Sequence, residues 1–207
     1  MKKKIRILVV HGGMTFKNEK GYLHYLKARP ITLEKRVYWA GEYLEKSLGK
    51  RFHVIMPRMP PQDNAKYRDW KICFERYLAL LGNDFMLIGS SLGGIFLAKY
   101  LSENKLPTKA LATYLVCPPF DNSLPGEDLV GGFILKSNLS LLEENTKKLH
   151  LLFSYDDDVV PFAHAEKYQS KLKGAHFVVY KNKNGHFNIP KFPEIVRLIT
   201  ANASSKK

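Results

Sequence analysis

Phe85-Met86-Leu87-Ile88-Gly89-Ser90-Ser91-Leu92-Gly93-Gly94 decides the fold of this chain. A short apolar run stops at a glycine, presents a serine two residues later and closes on two more glycines. From Ile95 to Leu101 the apolar residues then recur with helical spacing. The pattern predicts a strand, a sharp turn and a helix. Within the turn, Gly89-Ser90-Ser91-Leu92-Gly93 matches G-x-S-x-G, in which the central serine sits on a strained strand-to-helix corner. The flanking glycines are small because a Cβ there would strike neighbouring backbone. Ser91 is therefore the candidate nucleophile, and the N–H of Leu92, in the first turn of the helix, is a candidate oxyanion donor. A glycine-rich connection alone would look similar, so the reading depends on a base, an acid and a second donor elsewhere in the chain.

Outward from this turn, the chain alternates between strand-like and helix-like segments. Ile5 to Val10 is a β-branched run suited to a strand buried on both faces, and His11-Gly12-Gly13-Met14 ends it. Thr15 to Pro30 is polar and aromatic, with no assigned element. The apolar spacing predicts a helix from Thr32, its cap, through Leu48, stopped by Gly49. Strands are expected over Phe52–Met56, Lys109–Cys117, Leu149–Ser154 and Ala175–Tyr180. Helices are expected near Tyr67–Leu81, over Ala163–Leu172 and from Pro190 to Thr200, with 201–207 frayed. Pro125-Gly126 and Gly131-Gly132 mark 120–142 as a loop that covers something. The alternation implies an α/β fold, a three-layer α/β/α sandwich around a mostly parallel sheet of about six strands. Ligands then collect at the carboxyl ends of the strands.

Composition narrows the function classes. The chain has 207 residues, 45% hydrophobic, enough for one domain with a full core. No apolar run approaches the roughly 18 residues a membrane span needs, so no stable membrane association is expected. The basic start, Met1 to Lys4, runs directly into the first strand and lacks a leader's apolar stretch. Cys73 and Cys117 show neither C-x-x-C spacing nor a disulfide framework, which suits a reducing cytoplasm. The net charge is +14, but the lysines are scattered and no arginine-aromatic motif interleaves them, so the charge suits a solvated basic surface, or mild steering of anionic substrates, better than nucleic-acid binding. There is no H-E-x-x-H, no phosphate-loop lysine motif and no G-x-G-x-x-G, and neither metal nor cofactor is expected.

A serine hydroxyl needs a base within hydrogen-bond reach, oriented by a carboxylate. Of the seven histidines, His186 lies in Lys183-Asn184-Gly185-His186-Phe187-Asn188, a glycine-containing loop after the last strand that can swing the ring over the sheet edge. His24, His53 and His150 sit on or beside framework elements, and His164 and His176 flank a helix and a strand. His11 adjoins the glycine pair and shapes that loop. The acid follows a strand between serine and histidine, and Ser154-Tyr155-Asp156-Asp157-Asp158-Val159-Val160-Pro161 offers three carboxylates. Asp157 is chosen, with Asp156 and Asp158 as fallbacks and Asp121 as a weaker rival. The second oxyanion donor falls to the N–H of Gly13, with Met14 as the alternative. His11, Gly12, Met14, Ser90 and Phe120 are the expected substrate-binding neighbours. Phe16, Tyr22, Tyr25 and Phe133 are either pocket wall or packing.

Together these four motifs, from Ile5 to about Ile199, resemble the α/β-hydrolase superfamily. The small size, the Asp-Asp neighbourhood and Gly185-His186-Phe187 resemble the compact serine hydrolases related to the retinoblastoma-binding serine hydrolase and its bacterial homologues. The resemblance implies Ser91, Asp157 and His186 as a triad, an oxyanion hole from Leu92 and Gly13, no cofactor, and a fold without the first antiparallel strands or a large cap. Ser154 departs from the glycine that usually opens the acid loop. The activity so implied is carboxylesterase-like, on a small ester or thioester. An amidase or peptidase using the same triad is the alternative, and a hydrolase-fold interaction protein is a further one.

Overall fold

The structure, a computed structural model, describes residues 4–34 and 37–204. Six strands form one all-parallel sheet: β1 (Ile5–Val10), β2 (Phe52–Ile55), β3 (Phe85–Ser90), β4 (Ala112–Val116), β5 (Leu149–Ser154) and β6 (His176–Tyr180), in the order β2-β1-β3-β4-β5-β6. β3 and β4 carry near-continuous apolar runs because helices cover both faces of the sheet. Alternate side chains feed two cores. Leu8, Val10, Leu87 and Leu115 pack with Trp70, Phe74 and Phe96, whereas Ile7, Val9, Ile88 and Tyr114 pack with Trp39, Leu44, Ile195 and Ile199. The first core lies under α3 (Tyr67–Leu78), α4 (Leu92–Glu103), α5 (Ser140–Glu144) and α6 (Ala163–Lys171). The second lies under α2 (Leu44–Leu48) and α7 (Pro193–Ser204). This is the expected three-layer sandwich.

From β1 the chain moves outward to β2, then returns past β1 to β3 and proceeds the other way. The loops leaving β1 and β3 therefore diverge and open a crevice at the sheet's carboxyl edge. α4 begins at that crevice. Nine of its residues are buried, including Phe96 and Leu97, so it is held on nearly every side.

Several segments depart from the sequence pattern. A helix, α1 (Glu19–Ala28), occupies the stretch left unassigned; Asn18 caps it by accepting from the Gly21 N–H at 2.9 Å. It buries none of its residues; Tyr22 and Tyr25, three apart on one face, pack on Phe16 rather than on the core. The helix expected from Thr32 is absent at its start. Leu33 and Val37 are exposed, and Thr32 Oγ1 instead accepts from Glu34 N in a local turn. Helical backbone begins only with an irregular turn, Trp39–Tyr43, broken at Gly41, before α2 ends at Gly49 with φ 66°. Residues 35–36 of that expected helix lie outside the described residues. Trp39, outside the apolar pattern read from the sequence, is the anchor here; its ring stands edge-on to Phe192 at 5.2 Å. The last helix starts at Pro193 rather than Pro190 and runs on to Ser204, because Ala203 is fully buried in the second core. Of the expected frayed tail, only 205–207 lie outside the described residues.

The 120–142 segment is mainly irregular, as its glycines imply, but it is tied down. Lys17 and Asp128 pair at 2.7 Å, Val130 N donates to Thr15 Oγ1 at 2.9 Å, and Tyr67 N donates to the Gly131 carbonyl at 2.9 Å. No helix among the described residues is long and apolar enough to cross a membrane.

Candidate functional site

The turn after β3 is built by steric exclusion. A Cβ on Gly89 would stand 2.4 Å from the Gly93 carbonyl oxygen, and one on Gly93 would stand 2.1 Å from that of Val10. These atoms are backbone and cannot step aside, so the corner closes only with glycine at both places. Ser91 at its apex has φ 54° and ψ −123°, a conformation an L-residue adopts only under constraint. Its N–H donates to the Val116 carbonyl at 2.8 Å, and its own carbonyl accepts from Gly94 N at 2.8 Å and Ile95 N at 3.2 Å. The corner is thus pinned to β4 on one side and to α4 on the other. Leu92 N–H, at the first helical position, has no intrahelical acceptor.

The loop after β1 faces this corner. A Cβ on Gly12 would lie 3.2 Å from Ser91 Cβ and 3.7 Å from Ser91 Oγ, so backbone passes directly beside the serine. Met14 N–H is spent on the Gln62 carbonyl at 3.0 Å, whereas Gly13 N–H has no protein partner among the described residues. Of the two alternatives for a second donor, the Gly13 N–H is thus the one left without an acceptor. His11 braces the loop: Nε2 accepts from Met59 N at 2.8 Å, which leaves Nδ1–H to donate to the Gly12 carbonyl at 2.6 Å. Burial lowers the His11 pKa against the pull of that carbonyl, and Arg58 lowers it further, so the ring stays neutral.

Of the three adjacent aspartates, only Asp157 reaches His186. His186 Nδ1–H donates to both carboxylate oxygens, each at 2.9 Å. Asp157 Oδ1 also accepts from Val159 N at 3.0 Å and Val160 N at 2.8 Å, in a turn that keeps the side chain almost wholly buried. Asp156 instead receives Lys183 N and Gly185 N, each at 2.9 Å, and so shapes the loop that carries the histidine. Asp158 is exposed. Asp121 pairs with Lys167 at 2.7 Å, away from the histidine. Positive φ at Asn184, Gly185 and Phe187 coils the loop so that Phe187 is buried against Tyr180 and Phe192 while His186 projects over the sheet edge.

His186 Nε2 has a neighbour that sequence reasoning did not assign to the site. Cys117 Sγ, fully buried at the end of β4, stands 3.7 Å from it. No hydrogen bond joins Ser91 Oγ to His186 among the described residues. Burial pushes the imidazole pKa down, but the Cys117 sulfur and the Asp157 carboxylate more than reverse this, leaving His186 above the ordinary histidine value.

Ser91 and His186 open onto one cavity of about 690 Å³. His11, Gly12, Gly13, Met14 and Ser90 line it. Phe120 does not. Its ring packs edge-on against Tyr168 at 5.0 Å and its N–H donates to His164 Nδ1 at 2.9 Å, so it anchors the insert instead. Of the aromatics, Tyr25 reaches the cavity; Phe16 and Tyr22 pack on each other, and Phe133 is buried against Trp70. Glu127, Arg58, Val159 and Tyr38 also line the cavity, and the sequence pattern gave no signal for them. Burial raises the Glu127 pKa against the effect of His186, and Asp157 and Asp158 raise it further.

Comparison with known proteins agrees with this architecture. The YdeN gene product from B. subtilis superposes with a TM-score of 0.75 at 18% identity, covering 98% of this chain and 100% of that one. A YdeN-like hydrolase from Pectobacterium atrosepticum gives 0.64 at 15% identity, covering 97% and 91%. The esterase domain of a Rhodothermus marinus protein gives 0.60 at 18% identity, covering 96% and 85%. At these identities the likeness carries the fold. No curated protein matches the chain. The sequence pattern of the serine hydrolases matches residues 35–196, most of the chain, and with it the chain belongs to the serine hydrolase family, on a fold shared with α/β hydrolases.

Proposed function

We propose that this protein hydrolyses a small or medium acyl ester or thioester through an acyl-enzyme, with Ser91 as nucleophile, His186 as general base and Asp157 as its orienting acid. One observation carries the reading: the Asp157–His186 pair, at 2.9 Å from both carboxylate oxygens, opens onto the same cavity as a serine held in a strained corner. The carboxylate orients the ring and holds the Nδ1 proton, while the raised pKa favours a proton on Nε2 as long as the ring rests beside the Cys117 sulfur; Nε2 serves as the base once that proton is given up.

Substrate enters with its carbonyl between the Gly13 and Leu92 N–H groups. His186 turns from the Cys117 sulfur toward Ser91, a hydrogen bond that commonly tightens only in the substrate complex. Ser91 Oγ then attacks the carbonyl carbon as its proton passes to Nε2. The tetrahedral oxyanion is held by the two N–H groups, each contributing about 3 kcal/mol. His186 protonates the leaving group, the acyl-enzyme forms, and water activated by the same ring releases the acid. The N–H groups at the start of the helix after Ser91 favour negative charge on the oxyanion side. The two unpaired cysteines suit a reducing, cytoplasmic setting.

Labelling by a fluorophosphonate probe tests the reading. Wild type is expected to be labelled, and Ser91→Ala and His186→Ala are not. A folded wild type that resists the probe, or a Ser91→Ala variant that is still labelled, would overturn it.

A further inference from the structure

The sulfur beside His186 is placed as a metal ligand would be. Cys117 Sγ, an imidazole nitrogen of His186 and a carboxylate oxygen of Asp157 all lie within 4.8 Å of one another. The sulfur and Nε2 are 3.7 Å apart. Two ligands on a tetrahedral zinc ion, at roughly 2.3 Å for sulfur and 2.05 Å for nitrogen, are separated by about 3.6 Å. The gap between these two atoms is therefore the span of one bound ion.

Three further features suit them to the task. Asp157 already accepts from Nδ1–H, and a carboxylate behind a ligating imidazole fixes the tautomer that leaves Nε2 free to donate its lone pair. Cys117 is held by its backbone, with its N–H on the Leu152 carbonyl at 2.8 Å and its thiol buried, so the sulfur needs no ordering on binding. His186 lines the cavity, which gives the ion an entry path from that side, whereas the Cys117 sulfur lies buried behind the ring.

We infer that Cys117 and His186 form an inhibitory site for zinc or a similarly thiophilic divalent cation, which occupies the histidine's base nitrogen. On binding, the single proton held between the sulfur and Nε2 passes to solvent, and the thiolate and Nε2 each donate an electron pair to the ion; no electron is transferred. The ion and Ser91 then compete for one lone pair, so the metal-bound form cannot accept the serine's proton. Magnesium and calcium, which take oxygen ligands, do not substitute. The inhibition rests on the proposed role of His186, but the binding does not.

Cobalt(II) spectroscopy separates the two. In a Cys73→Ala background, which removes the other thiol, cobalt is expected to give a thiolate-to-cobalt charge-transfer band that Cys117→Ala and Cys117→Ser both lose. Two variants guard against one failing to fold. In parallel, buffered zinc should suppress turnover of an ester panel, and Cys117→Ala should raise the half-inhibiting concentration at least about tenfold relative to its own metal-free rate. Absence of the band in the Cys73→Ala protein, or a band unchanged by Cys117→Ala, would overturn the site. A clear band with zinc-insensitive turnover would overturn the inhibitory role and count against His186 as the base.

Discussion

His150 makes the fold acid-sensitive in a way that can be isolated. Its ring on β5 is stacked between Tyr114, at 5.1 Å and 11°, and His176, at 5.1 Å and 23°. Nε2 lies 2.8 Å from Asn202 Nδ2, whose amide also donates to the Tyr114 hydroxyl, so Nε2 is an acceptor, while Nδ1 is buried without a partner. Protonation would set two donors against each other in a closed space. Burial, followed by the neighbouring His176 and Lys148 charges, lowers the pKa from 6.5 to about 4. For a base whose folded pKa is depressed, the folded state is unpenalised above the unfolded value. Stability then falls as pH drops from 6.5 towards 4, because the unfolded chain binds the proton first. Each pH unit in that window costs roughly 1.4 kcal/mol, so a step from pH 7 to pH 5 removes about 2 kcal/mol. His150→Gln keeps an acceptor for Asn202 and abolishes the titration. Urea unfolding at the two pH values should show wild type losing about 2 kcal/mol more than the variant, a midpoint difference of about 1 M. The other buried histidines, His11 and His164, contribute equally to both proteins and cancel. Equal losses in the two proteins would refute the argument.

Asp157→Asn should lower kcat by about 10³- to 10⁴-fold with little change in KM, since it removes the group that fixes the His186 tautomer while the cavity stays intact; steady-state ester kinetics check this. Ser91→Gly should abolish activity yet raise stability by about 1 kcal/mol in urea unfolding, because glycine adopts φ 54° without strain. Gly93→Ala should cost roughly 3 kcal/mol or prevent folding, as its Cβ would meet the Val10 carbonyl oxygen at 2.1 Å; circular dichroism and melting curves decide it. Glu127→Gln should improve turnover of substrates with an anionic acyl group relative to neutral ones, read as a ratio of kcat/KM values, because it removes a carboxyl from the cavity wall beside His186.

What the sequence displayed and what it hid divide along one physical line. Where backbone geometry admits a single residue type, the sequence must show it. Gly89 and Gly93 announce the corner because any side chain there would strike a carbonyl. The buried strands announce themselves because a sheet covered on both faces admits few polar residues, such as Thr113 and His150, among its apolar runs. Segments that cover no core carry no such demand. α1 buries nothing, and 31–38 offers Leu33 and Val37 to solvent, so apolar spacing there imitated a helix that the fold has no reason to form. Asp157 was readable as one of three neighbours, but what selects it is the turn that aims Val159 N and Val160 N at its carboxylate, a feature of the backbone.

Cys117 was hidden for a different reason, one that sheet order supplies. Along the carboxyl edge the strands run β1, β3, β4, β5, β6, and they end in or lead to His11, Ser91, Cys117, Asp157 and His186 in turn. The strand that leads to Ser91 and the strand that leads to Asp157 are not adjacent; β4 lies between them. A histidine arriving from beyond β6 and anchored on Asp157 must reach across the end of β4 to serve Ser91. Whatever side chain stands at position 117 therefore becomes the neighbour of the base nitrogen whenever the serine is not. Sequence alone showed a cysteine before two prolines at a strand end, and only the strand order turns that position into the resting partner of His186. A non-coordinating residue there would leave the ring free to rest on the serine, whereas a thiol gives it an alternative partner. On the proposed role of His186, the position that a linear reading passes over is thus the one that sets how readily its Nε2 is available to Ser91.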